Sequence, residues 1–347
     1  MDEVVRNLIT EADKIYKEHF PAETCFERAV FFSWGCTIGD CTFCYMSTQP
    51  EGKTPTETKR TVESILAEFI LCKHLGWDIG FFTGGIGVFS PSEIEFLLQS
   101  IYAILGEKIW LSVGPVSEPI LLRYLPYIKG VVGSTETINP VLHRKVCPSK
   151  PLEPYEKMFV VAKKLGLQRA MTFIVGMGET HDDLELLKSF IVQYDINKIH
   201  VYGLIPQEGT VFEKSPIPSA EEQAWWIAQL RIAFPTLDIQ CGVWEDRVER
   251  ISLLLQAGAN SISKFKATKL FGTSIARNIE EEAKKVGRVF KGTLTQLPQV
   301  AWEEEIEKLP FPADLKLKIK EKLFEEYLSR MKRNIAKRSI ILKDTNN

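Results

Sequence analysis

The sequence lacks the features of membrane-spanning, secreted and nucleic-acid-binding proteins. Its 347 residues contain no apolar run near the ~18 residues that cross a bilayer. The N-terminal stretch has neither the basic start nor the apolar middle of a signal peptide. A net charge of −2 provides no surplus of cations for a polyanion. We therefore expect a cytoplasmic protein that binds neither nucleic acid nor a membrane.

Disulfide frameworks, zinc sites and phosphate loops are also poorly represented. The seven cysteines are an odd number, and a reducing compartment disfavours disulfides. The five histidines are scattered without metal-ligand spacing, and no second pair of cysteines completes a four-ligand zinc site. No glycine-rich phosphate fingerprint follows the first predicted strand. These absences leave few ordinary explanations for a cysteine cluster.

The chain does contain a repeated unit, in which a short apolar run precedes a turn and a periodic helical segment. Most of these runs are apolar on both faces, as parallel strands covered by helices are. Eight runs alternate with helices, which predicts an α/β protein with a (β/α)8 TIM-type barrel; an open doubly wound sheet is the alternative. The runs span residues 29–34, 79–83, 109–113, 130–134, 169–175, 199–204, 237–242 and 260–264.

Two helical segments are expected to flank this barrel. Residues 1–28 contain an amphipathic N-terminal helix, and the barrel is expected over residues 29–300. Residues 301–347 have the alternating charges of a helix with a solvated face and are expected to form a C-terminal helical tail.

Three cysteines stand within nine residues of the stretch FFSWGCTIGDCTFCYMS, residues 31–47. Cys36, Cys41 and Cys44 follow the first predicted strand, at the end of the barrel where active sites form. Three thiolates can hold a four-iron cluster and leave one iron free to bind a substrate or cofactor. Three buried thiols remain an alternative, because cysteine is often buried. A thioredoxin-like pair would leave Cys36 unexplained.

The cysteine loop resembles that of the radical S-adenosylmethionine (SAM) superfamily, whose usual pattern is C-x3-C-x2-C with an aromatic residue before the last cysteine. Phe43 occupies the aromatic position, although four residues instead of three separate Cys36 from Cys41. The resemblance implies that Cys36, Cys41 and Cys44 hold a [4Fe–4S] cluster whose open iron binds SAM. It also implies reductive cleavage of SAM to a 5′-deoxyadenosyl radical, with a reductase, ferredoxin or flavodoxin as electron donor and a small-molecule substrate inside the barrel.

Four further segments at predicted strand ends extend this resemblance: FFTGGIG (81–87), STETINPVLHRK (134–145), TFIVGMGET (172–180) and LIPQEGT (204–210). The first has Ile86 where the family has an acidic residue. The resemblance implies SAM contacts with Thr83, Gly84, Gly85, Ser134, Glu136, Ile174, Leu204 and Ile205. In this scheme the 83–85 backbone holds the amino group of SAM, and the Glu136 carboxylate accepts hydrogen bonds from its ribose or ammonium group.

Each of these segments also has a purely structural interpretation. The double glycine can form a simple strand-end turn, Glu136 can be a charge at a helix N-terminus, and Ile174 can be a buried barrel residue. Three polar residues on the predicted strands, Arg169, Tyr202 and Gln240, could face a substrate or bond within the barrel wall.

The segments are most similar to the group of biotin synthase, HydE and PylB. Within it, the lengthened first gap resembles the Hmd co-occurring radical SAM proteins, which are linked to biosynthesis of the iron-guanylylpyridinol cofactor of [Fe]-hydrogenase. A HydE-like maturase and a biotin synthase-like sulfur inserter are the alternatives. Cys147 and Cys241 are too few for the second cluster of a sulfur inserter. A scaffold that carries a cluster without binding SAM is an alternative of another class.

Overall fold

Eight parallel strands form the predicted barrel, in the order in which they follow one another along the chain. The computed structural model describes residues 2–48 and 54–344. Sequential order around the sheet confirms the (β/α)8 prediction and excludes the doubly wound alternative. Every predicted run overlaps one of these strands, which are β2 (Glu27–Phe31), β3 (Asp78–Thr83), β4 (Ile109–Ser112), β5 (Ile128–Glu136), β6 (Gln168–Val175), β7 (Lys198–Gly203), β8 (Asp238–Gly242) and β9 (Ser261–Ser263).

The barrel is joined most weakly between β2 and β9, a join that we call the seam. Phe26, directly before β2, pairs with Ile262 of β9 in a single bridge. Every other pair of neighbouring strands shares between two and six registered residue pairs. A two-stranded parallel sheet lies beside the seam and consists of β1 (Glu23–Cys25) and β10 (Val289–Lys291). The sequence did not predict it, because three-residue strands are too short to show a pattern.

Helices cover the outside of the barrel. Ser90 begins α3 with a reciprocal capping box, and Gly76 ends α2 in the left-handed conformation, with φ of 66°. Within residues 2–48 and 54–344, no helix has the length and apolar character that crossing a bilayer requires. The α-helices before β9 are α1 (Glu3–His19), α2 (Val62–Leu75), α3 (Pro91–Leu105), α4 (Glu118–Tyr124), α5 (Pro140–Val146), α6 (Glu153–Lys164), α7 (Asp183–Tyr194), α8 (Ala220–Ala233) and α9 (Ile251–Gln256).

The remaining helices follow the last barrel strand and pack near the seam. Between α13 and α14 the helix widens to a π-helical segment, Lys322–Leu328, and π turns of this kind often occur at functional sites. This segment contacts α2 and α13. The α-helices of this part are α10 (Ala267–Leu270), α11 (Ser274–Lys285), α12 (Trp302–Glu307), α13 (Ala313–Glu321) and α14 (Ser329–Asp344).

A buried network of charged and polar side chains, which we call the basal ionic layer, fills the N-terminal end of the barrel interior. The Lys198 ammonium donates to Glu27 at 2.6 Å and to Asp238 at 2.8 Å. Gln240 and Ser261 also donate to the Glu27 carboxylate, each at 2.6 Å. Burial alone would raise the pKa of Glu27, but Lys198, His200 and the hydrogen bond from Ser261 together outweigh it and hold that pKa at about 2. The basal ionic layer therefore closes the N-terminal end of the barrel interior.

Candidate active site

A cavity of about 730 Å³ opens at the C-terminal ends of the barrel strands. Its volume is that of a small-molecule site. Side chains from the strands, or from the loops directly after them, enter it from all around the barrel, and Tyr327 and Arg330 of the C-terminal helices bound it on one side. Its lining includes the hydroxyl groups of four strand residues, Thr83, Ser112, Ser134 and Thr172.

The three cysteines of the loop after β2 lie at this mouth. All three are partly exposed and free of disulfides, and Cys44 lines the cavity together with Phe43. Backbone hydrogen bonds attach the loop to its neighbours: Thr37 N donates to Ile86 O at 3.0 Å, and Thr42 N donates to Val146 O at 2.9 Å. The loop is therefore held by the barrel while its thiols stay accessible.

The donor set fits an iron–sulfur cluster better than a single metal ion. In the described part of the chain, no three His, Cys, Asp or Glu side chains converge closely enough to hold one ion. Cluster ligands bind different irons and therefore stand farther apart than the ligands of one ion. Burial raises the pKa of Cys44 to about 11, whereas a hydrogen bond with the Cys147 thiol lowers that of Cys41. These three thiols suit a cluster that deprotonates its ligands on binding.

The double glycine after β3 lets the cysteine loop approach the barrel. A side chain at Gly85 would place its Cβ 1.6 Å from Gly35 O, and one at Gly84 would lie 2.3 Å from the Phe32 ring. Gly85 N donates to Ser33 Oγ at 3.0 Å. Thr83 lines the cavity, and the two glycines lie behind it against the cysteine loop. Close approach of the cysteine-loop backbone explains Gly85, and packing of the Phe32 ring explains Gly84; their contact with SAM stays a prediction.

Glu136 ends β5 and faces the cavity in a left-handed conformation, with φ of 60°. Its carboxylate accepts hydrogen bonds from Lys150 Nζ at 3.0 Å and from Thr172 Oγ1 at 2.9 Å. Burial would raise the pKa of Glu136, but Lys150, Thr172 and the Lys264 charge together outweigh it, and the pKa is lowered. The helix N-terminal explanation is wrong, because Asn139 caps the next helix instead. Glu136 is a fixed, ionised acceptor at the cavity wall.

An apolar wall adjoins the cysteine loop. Ile174 and Leu204 belong to one buried cluster with Met177, against which Phe43 packs. Ile205 continues this wall along the cavity. On the neighbouring strands β4 and β5, Ser134 Oγ lies 3.4 Å from Ser112 Oγ. The structure therefore brings the predicted adenine-binding residues of β6 and β7 together beside the polar residues of β5.

The three candidate substrate residues separate into one that lines the cavity and two that do not. Tyr202 lines it. Gln240 lies beneath, where its side-chain oxygen accepts from Ser263 Oγ at 2.7 Å. Arg169 lies at the N-terminal end of β6, where its guanidinium bonds Asp195 at 2.7 Å and Leu167 O at 2.7 Å. For Arg169 and Gln240, bonding within the barrel wall is the correct interpretation.

Three residues of the site were missed from the sequence. Lys150 forms an ion pair with Glu136, the Cys147 thiol forms a hydrogen bond with Cys41, and Lys264 follows β9 at the cavity wall. Lys264 had a visible signal, a cation at the C-terminal end of a predicted barrel strand. Lys150 and Cys147 lie in an irregular segment after α5, where no repeating pattern in the sequence indicates which way a side chain points.

Comparisons with known proteins agree with this geometry. The Radical SAM superfamily profile matches residues 30–191. The chain is 37% identical to an uncharacterized protein of Methanocaldococcus jannaschii over 90% of this chain and 86% of the relative. It is 26% identical to biotin synthase of Thermodesulfovibrio yellowstonii over 75% of this chain and 84% of the relative. The crystal structure of methylornithine synthase (PylB) shares the fold, with a TM-score of 0.68, 23% identity, and coverage of 76% of this chain and 78% of that one.

Proposed function

Because the chain belongs to the radical SAM superfamily, whose members use a [4Fe–4S] cluster and SAM, we propose that Cys36, Cys41 and Cys44 hold the cluster at which this enzyme cleaves SAM. The observation that carries the proposal is that one cavity joins the cysteine loop, an ionised carboxylate and an apolar wall. These are the surfaces needed for a sulfonium amino acid joined to an adenosine. The substrate is a small molecule in the same cavity.

The chain's own residues bind and orient. Glu136, held by Lys150 and Thr172, accepts hydrogen bonds from the SAM ribose or ammonium group. Ile174, Leu204 and Ile205 pack on the adenine, the backbone of Thr83, Gly84 and Gly85 receives the amino group, and Ser134 makes another polar contact. A reduced cluster held by Cys36, Cys41 and Cys44 would supply the one electron needed to break the bond between the SAM sulfur and C5′, which would release methionine and a 5′-deoxyadenosyl radical that can take hydrogen from the substrate. Walls closed by Phe43 and Tyr202 limit the access of water.

The finer assignment is to biosynthesis of the iron-guanylylpyridinol cofactor of [Fe]-hydrogenase. The four-residue gap between Cys36 and Cys41 supports it. Sulfur insertion is disfavoured, because the thiols needed for a second cluster are engaged elsewhere. The Cys147 thiol forms a hydrogen bond with Cys41, and the buried Cys241 thiol donates to Ser261 O at 3.4 Å. A HydE-like maturase is the remaining alternative.

Anaerobic cluster reconstitution followed by SAM and dithionite tests the reaction. The wild-type protein is expected to be brown and to form 5′-deoxyadenosine, measured by chromatography. Cys36→Ala, Cys41→Ala and Cys44→Ala should each lower the yield by at least about 100-fold, because a cluster ligand is lost. Cys25→Ser is the matched control, since Cys25 donates to Asp78 at the other end of the barrel. An intact wild-type cluster that yields no 5′-deoxyadenosine would favour the scaffold.

Complementation tests the pathway. In a host that makes [Fe]-hydrogenase, disruption of the corresponding gene is expected to abolish hydrogenase activity. The wild-type gene and its Cys25→Ser variant should restore the activity, whereas Cys41→Ala should not. Restoration of [FeFe]-hydrogenase in a host that lacks HydE, without rescue of [Fe]-hydrogenase, would identify the maturase instead.

A further inference from the structure

The cavity lining carries a charge opposite in sign to that of the chain. It contains six lysine or arginine residues and three glutamates, whereas the whole chain has a net charge of −2. Glu68 neutralises part of this excess by bonding Arg28 at 2.6 Å and Arg60 at 2.7 Å. Lys266 pairs with Glu245 outside the lining at 2.6 Å. An electropositive cavity in an acidic protein favours an anionic ligand.

Lys264 directly follows the last barrel strand and lines the cavity, and no acidic side chain of the described residues contacts it. Within residues 2–48 and 54–344, its ammonium forms no ion pair or hydrogen bond. Its Nζ instead lies 4.2 Å from the centre of the Tyr202 ring, a cation–π contact that leaves its hydrogen atoms available. Lys264 is half-buried, and a cation partly removed from water with no anion in contact is destabilising, so a bound ligand is the natural partner.

The surrounding structure positions Lys264 specifically. A Cβ at Gly242 would lie 2.3 Å from Tyr202 Cδ1 and 3.0 Å from Lys264 Cγ. The absence of a side chain at Gly242 therefore creates the space in which the tyrosine ring and the lysine stem stack. Such close packing holds the ammonium over the ring and aims it into the cavity.

The backbone at Lys264 is strained in the same way as at Glu136. Their φ angles are 72° and 60°, in the left-handed region that residues other than glycine rarely adopt. The third such residue in the described chain, Asp195, is an ordinary helix C-cap. Strain of this kind persists where the surrounding structure enforces it, and it clusters at ligand sites. Both charged strand ends that face the cavity have this conformation.

Glu136 does not contact Lys264, although the Lys264 charge is near enough to help lower the pKa of Glu136. Its two oxygens already accept from Lys150 and Thr172, at 3.0 Å and 2.9 Å, and it forms no ion pair with Lys264. The structure therefore has a paired carboxylate and an unpaired ammonium on the walls of one cavity. The first suits the cationic and hydroxyl groups of SAM, and the second suits a carboxylate.

We propose that Lys264 binds a carboxylate group of the molecule in the barrel, so that the enzyme acts on a carboxylate-bearing small substrate. This assignment rests on the proposed function and deepens it by naming the substrate class. The carboxylate of SAM offers the same chemistry, and the test separates the two sources. Lys264 is a binding residue and takes no part in cluster assembly.

The test uses cluster-loaded protein and two ligands, with Lys264→Met, Lys264→Arg and the control Lys291→Met. Lys291 is an exposed lysine of β10 at the other end of the barrel. Equilibrium dialysis measures the affinity for SAM and for glutarate, with neutral glutaramide and inorganic phosphate as comparison probes. Glutarate is expected to bind wild type and Lys291→Met at least about tenfold more tightly than glutaramide, because a charge-assisted hydrogen bond is lost with the amide.

The outcomes distinguish the possible results. A loss of about tenfold in glutarate affinity in Lys264→Met, with recovery in Lys264→Arg, assigns the carboxylate to the substrate. The same loss for SAM alone assigns it to the cofactor. Unchanged binding of both, or tighter binding of phosphate than of glutarate, overturns the proposal. Formation of 5′-deoxyadenosine is measured in parallel: its absence in wild type contradicts the proposed function, whereas glutarate binding independently tests Lys264.

Discussion

Both ends of the barrel interior contain charged side chains, but the two ends differ in how these charges are compensated. At the N-terminal end, Lys198 lies between Glu27 and Asp238 with hydrogen bonds of 2.6 Å and 2.8 Å. At the mouth, Lys264 has an aromatic ring beneath it and no acidic partner in the described chain. The basal charges are internally compensated, as buried charges in a structural layer are. The charge at the mouth has the Glu136 carboxylate near it but none in direct contact, and a ligand can supply that contact.

Backbone conformation follows the same division. The basal ionic layer is built from regular strands, and Gly80 of β3 leaves space for it: a Cβ there would lie 3.1 Å from both Glu27 Oε2 and Gln240 Nε2. At the mouth, Glu136 and Lys264 adopt left-handed conformations. The comparison teaches that burial alone does not identify a functional charge. A missing partner together with a strained backbone does.

The largest effect is expected from removing one lysine at each end. Lys198→Met leaves Glu27 and Asp238 buried without their cation and should lower the free energy of unfolding by about 3–5 kcal/mol. Lys264→Met removes no ion pair, only the cation–π contact with Tyr202, and should lower it by no more than about 1 kcal/mol. Urea denaturation followed by circular dichroism measures both, with exposed Lys291→Met as control. Equal losses at the two ends would remove the distinction between structural and functional charge.

A smaller effect concerns acid stability, because His200 lies in the barrel interior between the two ends. Burial, with a contribution from Lys198, lowers its pKa from 6.5 to about 3. The unfolded chain therefore takes up this proton first, and stability is lost as the pH falls below 6.5. At pH 5 the loss amounts to about 2 kcal/mol relative to pH 7.

Urea denaturation at pH 7 and pH 5 measures this loss. His200→Leu should remove the His200 part and leave that of His143, whose pKa burial lowers to about 4. The pH-dependent loss is then expected to fall by roughly half. His19→Leu, on exposed α1, should leave it unchanged. An unaltered pH dependence in His200→Leu would mean that the proton is taken up elsewhere.

The sequence predicted the eight strands because a parallel strand covered on both faces is an apolar run between turns. It predicted the cysteine loop because three thiols in nine residues have few other uses. It left Arg169 and Gln240 open between a substrate contact and a bond within the barrel wall, since residue type does not reveal height along a strand: Arg169 is second in β6 and lies at the closed end. Lys264 was overlooked although it ends a predicted strand, because its direction depends on a left-handed backbone conformation after β9 that lysine rarely adopts.

The single Phe26–Ile262 bridge at the seam has a consequence for the size of molecule that the barrel can accommodate. Separating any other two neighbouring strands breaks at least two registered residue pairs, whereas separating β2 from β9 breaks only one. Tyr327 and Arg330 bound the cavity beside this join. The barrel can therefore widen at the seam, and the C-terminal helices limit how far it widens there.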